Sequence, residues 1–129
     1  MHLLQRLCSA AEMRHMDQRA IAVLGLPSRL LMENAAHEVA SRLQRLLRAG
    51  AAQQAQSPQE MQRASLPVVV CCGTGNNGGD GYAAARLLRN AGVPCLVVRS
   101  GAPASPDAVA NAQAWSHFGA TLDFGGQRP

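Results

Sequence analysis

The chain contains no lysine: all 12 of its basic residues are arginine. That absence excludes Schiff-base chemistry on a lysine and a phosphate loop of the GxxxxGK[ST] kind. Aromatic residues make up only 3% of the sequence, so Ala, Leu and Val must build the core. No CxxC pair occurs among Cys8, Cys71, Cys72 and Cys95, and no His is spaced to them as a metal ligand would be. Cys71, Cys72 and Cys95 stand in apolar runs and read as small buried hydrophobes. No apolar stretch reaches membrane-spanning length, and the N-terminal run Leu3, Leu4, Leu7 is broken by Gln5 and Arg6. A soluble cytoplasmic protein is the expectation.

What remains is ordinary for a globular protein: 129 residues, 47% hydrophobic, net charge +4. Arg42, Arg45 and Arg48 fall at i, i+3, i+6 with no aromatics interleaved. They read as a solvated helix stripe, and no nucleic acid is expected. His15 and His37 read as surface residues.

Ser9 to Glu12 form a capping box opening a helix with Met13, Met16, Ala20 and Val23 on one face, ended by Gly25. A second helix follows Pro27, with Leu31, Ala35, Val39, Leu43 and Leu46 as its apolar stripe and Gly50 as its end. Residues 51–65 are Ala/Gln-rich and read as a low-complexity linker, an insertion or a helix extension. Leu66 to Cys72 form an apolar run without alternation, the mark of a parallel strand buried on both faces. A helix over 79–91 follows, then a strand at Val93 to Arg99, a helix at 106–118 opened by Ser105 and Pro106, and a short strand at Thr121 to Phe124. Trp115 reads as core. Two helices followed by β-α-β-α-β imply an α/β fold with a parallel sheet. The glycine loop after the first strand then lies at the carboxyl rim, where ligands bind.

That loop carries the chemistry. Gly73 to Gly81 holds five glycines in nine positions. Such a density reads as a cradle with outward-facing amides, suited to a phosphate, and leaves packing no part in the choice. Gly73, Gly75 and Gly78 fit G-x-G-x-x-G. The acidic residue that the dinucleotide fingerprint wants after the second strand is missing; Arg99 stands there, and of its two readings, acceptor of a 2′-phosphate or solvated strand end, the second is favoured. Asn76, Asn77 and Asp80 add carboxamide and carboxylate oxygens, donors that suit a hard monovalent cation.

The string CGTGNNGGDGYAAARLLRNAGVPCLVV resembles the central motif of the YjeF N-terminal domain family. Ser9 to Asp17 resembles its opening helix. Gly25, Leu26, Pro27, Ser28 and Leu31 to Ala35 resemble its G-[IL]-P-x-x-x-L-M-E-N-A signature, and Ser105, Pro106, Asp107 and Asn111 fit a later helix. The resemblance implies a Rossmann-like three-layer domain, usually homodimeric, and an isomerase of the NAD(P)H-hydrate epimerase type. Such enzymes interconvert the R and S epimers of NADHX and NADPHX in metabolite repair, alongside an ADP- or ATP-dependent NAD(P)HX dehydratase. It also implies that Asn76, Asn77, Gly78, Gly79 and Asp80 contact the hydrated cofactor, that Asn77 ligates potassium, and that Glu33 and Asn34 lie near the same pocket.

The family's later V-D-A-x-x-G-T-G and D-x-P-S-G segments are not found here. A partial domain, truncated relative to the family and inactive or incomplete, is therefore the expectation. With three strands in the usual order, the first strand is an open apolar edge. No catalytic residue is assigned, since only Asp80 and Glu33 are candidates. One alternative is a non-catalytic dimeric scaffold of the same fold that binds nucleotides or RNA, as in the enhancer-of-mRNA-decapping proteins. A dehydrogenase fragment is the other.

Overall fold

The structure is a computed structural model that describes residues 8–54 and 66–124. The chain divides into two compact units, Met1–Leu31 and Met32–Pro129. In the first, helix α1 (Ala10–Ala22) opens with the expected capping box. Glu12 N–H donates to Ser9 Oγ at 3.2 Å, and Ser9 N–H donates to Glu12 Oε2 at 2.7 Å. Gly25 takes a positive φ of 68°, which ends the helix as the sequence suggests. No residue of α1 is buried, and Met13, Met16 and Val23 are exposed.

The second unit is an α/β sandwich. Helix α2 (Ser28–Gln54) feeds into it. Strand β1 (Val68–Cys72), helix α3 (Asn76–Asn90), strand β2 (Cys95–Arg99), helix α4 (Pro106–Trp115) and strand β3 (Thr121–Asp123) follow. The strands form a parallel sheet in the order β1-β2-β3, with Val68 opposite Cys95 and Val97 opposite Thr121. Among the described residues β1 is an edge strand. Ser105 caps α4 by accepting from Ala108 N–H at 3.3 Å, with Pro106 in the first turn. Trp115 is fully buried and donates its indole N–H to Thr121 Oγ1 at 3.1 Å.

One face of the sheet packs on helices. Cys72, Cys95 and Val97 meet Tyr82 and Leu88 of α3, Trp115 of α4 and Ala40 of α2. The opposite face is apolar and open: Val69, Cys71, Leu122 and Phe124 are exposed. Burial of the first strand on both faces is therefore not met among the described residues. Cys71 in particular is exposed, because it alternates with buried Cys72 and points to the uncovered side.

Helix α2 departs from its expected stripe. Its buried residues are Met32, Ala36 and Ala40, whereas Val39 and Leu46 are exposed. The reason lies in its partner. Helix α3 presents Ala83 and Ala84, which cluster with Ala36, and a Gly79 whose missing side chain leaves room for the Met32 thioether. The helix also runs through Gly50 to Gln54. Of the segment 51–65, residues 51–54 are thus helical, and 55–65 lie outside the described residues.

Candidate functional site

Strand β1 delivers the chain to Cys72, and only three residues, Gly73 to Gly75, separate it from α3. The helix starts at Asn76, not at Gly79. Asn and Gly are poor helix formers, which hides the first turn from a sequence reading. Three of the five glycines, Gly78, Gly79 and Gly81, prove to be packing residues after all, whereas Cβ atoms on Gly73 and Gly75 would stand in open space. A Cβ on Gly78 would lie 2.0 Å from the carbonyl oxygen of Gly73. One on Gly79 would meet Met32 Cε at 2.7 Å and Ala108 Cα at 3.1 Å, and one on Gly81 would meet Cys72 Sγ at 2.8 Å. These absent methyl groups let the loop fold onto the first turn of α3, and let that turn settle against α2, α4 and β1.

The loop after β2 braces the glycine loop. Ser100 N–H donates to the Cys72 carbonyl at 3.0 Å, and Ala104 N–H donates to the Thr74 carbonyl at 2.7 Å. Gly101 leaves room for the Thr74 methyl, which an added Cβ would approach to 3.1 Å. The result is a fixed cradle at the carboxyl ends of β1 and β2.

Within it, Gly79 N–H makes the first intrahelical bond, to Gly75 O at 3.1 Å. The amides of Asn76, Asn77 and Gly78 lie ahead of that bond. Gly75 at the N-cap offers no side chain to satisfy them. An uncapped N-terminus of this kind concentrates partial positive charge and unfilled donors at one point. Asn76 and Asn77 are exposed there, Gly78 and Gly79 are buried, and Asp80 is half-buried. Asn77 and Asp80, three residues apart, share a helix face. Beside the loop, Cys71, Cys72, Gly73, Val98, Ser100 and Phe124 line a cavity of about 240 Å³.

The carboxyl rim carries one further row. Cys72, Arg99 and Asp123 are register partners across all three strands. Arg99 Nε donates to Asp123 Oδ1 at 2.5 Å, and Nη2 donates to Oδ2 at 3.3 Å. Arg99 is thus an ion-pair partner, not merely a solvated strand end. The guanidinium holds the Asp123 carboxyl below its ordinary pKa, and the carboxylate raises that of Arg99 in return. Burial, with a smaller contribution from Cys71, pushes the Cys72 thiol up to about 11. Tyr82 lies under the rim. Its hydroxyl is buried without a hydrogen bond of good geometry, and burial raises its pKa although Arg99 lies near enough to oppose the rise.

Glu33 is drawn elsewhere. Its Oε2 accepts from Arg86 Nη2 at 2.5 Å, and His37 Nε2 stands 3.8 Å from Oε1. Arg86 sits ten residues into α3 (86 − 76), or about 15 Å along its axis from the loop. Asn34 is exposed on α2. The sequence reading missed Asp123, although a carboxylate in the third strand, in the same row as Arg99, is its only trace. Asn111, noted in the sequence only as part of the helix resemblance, is buried and donates Nδ2–H to Met32 Sδ at 3.1 Å and to the Asp107 carbonyl at 3.2 Å. Among the described residues no three His, Cys, Asp or Glu side chains cluster as a metal site. Nor is any described helix long and apolar enough to cross a membrane.

Residues 28–126 match the family described as YjeF-related protein N-terminus. A Limosilactobacillus reuteri protein named NAD(P)H-hydrate epimerase is 39% identical over 98 residues, covering 76% of this chain and 40% of the relative. A Pirellula staleyi protein of the same name is 38% identical over 100 residues, covering 78% of this chain and 37% of the relative. A bifunctional NAD(P)H-hydrate repair enzyme of Moorella thermoacetica is 33% identical over 118 residues, covering 90% of this chain and 20% of that protein. The crystal structure of yeast ynu0 superposes with a TM-score of 0.72 at 22% identity, covering 92% of this chain and 47% of the yeast chain. The chain therefore spans about two fifths of the epimerases it matches. On these grounds it belongs to the family of YjeF-related N-terminal domains.

Proposed function

We propose that this chain carries the nucleotide-cradling part of an NAD(P)H-hydrate epimerase, an isomerase acting on NADHX and NADPHX. The observation that carries the reading is the uncapped N-terminus of α3, braced at the carboxyl rim of β1 and β2. The names of the relatives supply the substrate. In this reading the amides of Asn76 to Gly78 hold a phosphate group, and the exposed carboxamides of Asn76 and Asn77 orient it. Gly78 and Gly79 serve by giving the backbone room. Asp80 shares the Asn77 face, and no residue is assigned to proton transfer.

A potassium ion is part of the proposal. Asn77 and Asp80 would hold it, and the ion would neutralise phosphate charge beside them. The positive end of α3 opposes a cation on its axis, so side-chain oxygens to one side must hold it. Two such oxygens fit part of a shell only. The Moorella relative is named a bifunctional repair enzyme, which supports a second repair activity as partner, and the resemblance makes that a dehydratase; the exposed apolar face of α1 fits a homodimer. Exposed thiols at Cys8 and Cys71, neither in a disulfide, suit the reducing cytoplasm.

The test is direct. Adenosine 5′-monophosphate titrated into the chain should bind saturably, more tightly in potassium than in tetramethylammonium. Replacing both Asn76 and Asn77 by Ala should weaken it about tenfold, the worth of one charge-assisted contact. Epimer exchange of NADHX, followed by chromatography, should run faster with the chain than without it. No saturable binding would refute the cradle. Binding with exchange at the spontaneous rate would refute the epimerase activity alone.

A further inference from the structure

The first turn of α3 is the part of that helix least able to hold itself. It reads Asn76, Asn77, Gly78, Gly79, Asp80, Gly81, all poor helix formers, and no side chain caps it. Its shape therefore has to come from what packs on it. Gly78 lies on the Gly73 carbonyl and Gly81 on Cys72, both from the strand and loop that lead into α3. Gly79 turns to other elements. The atoms nearest a Cβ placed there belong to Met32 of α2, at 2.7 and 2.8 Å, and to Ala108 of α4, at 3.1 Å. Gly79 also makes the first hydrogen bond of the helix, its N–H donating to Gly75 O. Whatever holds Gly79 holds the direction of the amides just before it.

The stop on α2 is soft by nature. Methionine is unbranched and flexible, and a thioether left to itself changes place easily. Here it is pinned. Asn111, one turn on from Ala108 in α4, donates Nδ2–H to Met32 Sδ at 3.1 Å. The same amide nitrogen donates to the Asp107 carbonyl at 3.2 Å, one turn back in its own helix, which fixes the Asn111 rotamer. Asn111 and Met32 are only 9% and 7% exposed, so water competes little for either group. A buried carboxamide is costly to desolvate, and an aliphatic residue would fill the same place at less cost. Its presence is explained by what it holds. We propose that Asn111 is a positioning residue for the nucleotide cradle: by fixing the Met32 thioether against Gly79, it fixes the first turn of α3 and the amides of Asn76 to Gly78. Asn111 acts through Met32 and touches no ligand itself, and the inference rests on the nucleotide reading above.

A double-mutant cycle on the full chain tests this, read by calorimetric titration of adenosine 5′-monophosphate and by amide hydrogen exchange followed by NMR. Asn111→Ala removes the donor, and Met32→Leu removes the acceptor while keeping the apolar bulk. Each should weaken the monophosphate about tenfold. Each should also speed exchange of the Gly79 N–H about tenfold beyond any change at Val97 in the central strand, which reports the stability of the whole sheet and so the purely structural share. The double variant should bind no worse than the weaker-binding single variant, because both substitutions break the same contact. Where Asn111→Ala does not fold, Met32→Leu carries both readouts. Wild-type affinity in a folded single variant, Gly79 exchange that rises no more than that of Val97, or losses that multiply in the double variant overturn the positioning role and leave the cradle standing. A wild type that binds no monophosphate overturns the cradle, and the inference with it.

Discussion

Gly78→Ala is the sharpest perturbation of the cradle, because two effects of opposite sign meet there. Alanine is the better helix former, and in an exposed helix the change would stabilise by about 1 kcal/mol. At this position the new Cβ would lie 2.0 Å from the Gly73 carbonyl oxygen and 2.7 Å from its carbon. That is about 1.5 Å inside ordinary contact. The obstacle is backbone, not the tip of a side chain, so no rotamer change relieves it. Overpacking of this kind costs about 1–3 kcal/mol, and the fixed neighbour puts the cost at the upper end. The expected balance is a net loss of about 1–2 kcal/mol, or a fall in Tm of about 5–10 °C. Gly75→Ala is the control: nothing lies within 4 Å of its added Cβ, and its φ of −93° suits any residue. It should change stability by less than about 0.5 kcal/mol. Urea unfolding of the three proteins, followed by circular dichroism, measures both differences. A Gly78→Ala protein as stable as the wild type would show that the loop does not lie on the first turn of α3. The argument for a preformed cradle would then fail.

Two further outcomes are expected. With a thiol reagent such as DTNB the native chain should react rapidly at exposed Cys8 and Cys71, while Cys72 and Cys95 react only after unfolding, since both are buried and burial raises both thiol pKa values; mass spectrometry of the labelled peptides reads this, and a protected Cys71 would contradict the open sheet face. The Asp123 carboxyl has a folded pKa below its unfolded value, so its stabilising contribution is complete above the unfolded range near pH ~4 and is lost as pH falls through the lower folded value. The difference in Tm between the wild type and Asp123→Asn should therefore shrink below about pH 4, and a gap constant from pH 6 to 2 would refute the ion pair.

The order of elements was legible because each boundary has its own local chemistry. Ser9 and Glu12 cap one helix, Ser105 and Pro106 open another, and Gly25 and Gly92 stop helices at φ values of 68° and 81°. These signals need no knowledge of neighbours. Some inferences that depended on a neighbour held, Trp115 in the core and the parallel sheet among them, while others failed, as did the local reading of Gly50 as the end of α2. Of the expected stripe Leu31, Ala35, Val39, Leu43 and Leu46, Leu31 and Leu43 are half-buried and the other three are exposed, while Met32, Ala36 and Ala40 are buried. Hydrophobicity ranks faces by what water rejects, whereas the surface of Gly79, Ala83 and Ala84 takes Met32 and Ala36. Glu33 reads as a candidate acid in sequence, and Arg86, distant in the chain, occupies it.

The glycine string shows the same division at the site itself. Its composition announces that backbone comes close to something, and that much was correct. It does not say whether the close neighbour is a ligand or the protein. Gly78, Gly79 and Gly81 face Gly73, Met32 and Cys72, and so are spent on shaping the cradle. The part left to a ligand is smaller than the motif suggests: the amides ahead of the first helical hydrogen bond and the carboxamides of Asn76 and Asn77. A substitution at Gly81 should therefore act on stability through Cys72 and on binding only indirectly, whereas one at Asn77 should act on binding with little change in stability. If the two behaved alike, the separation of scaffold from ligand contacts within the string would be wrong.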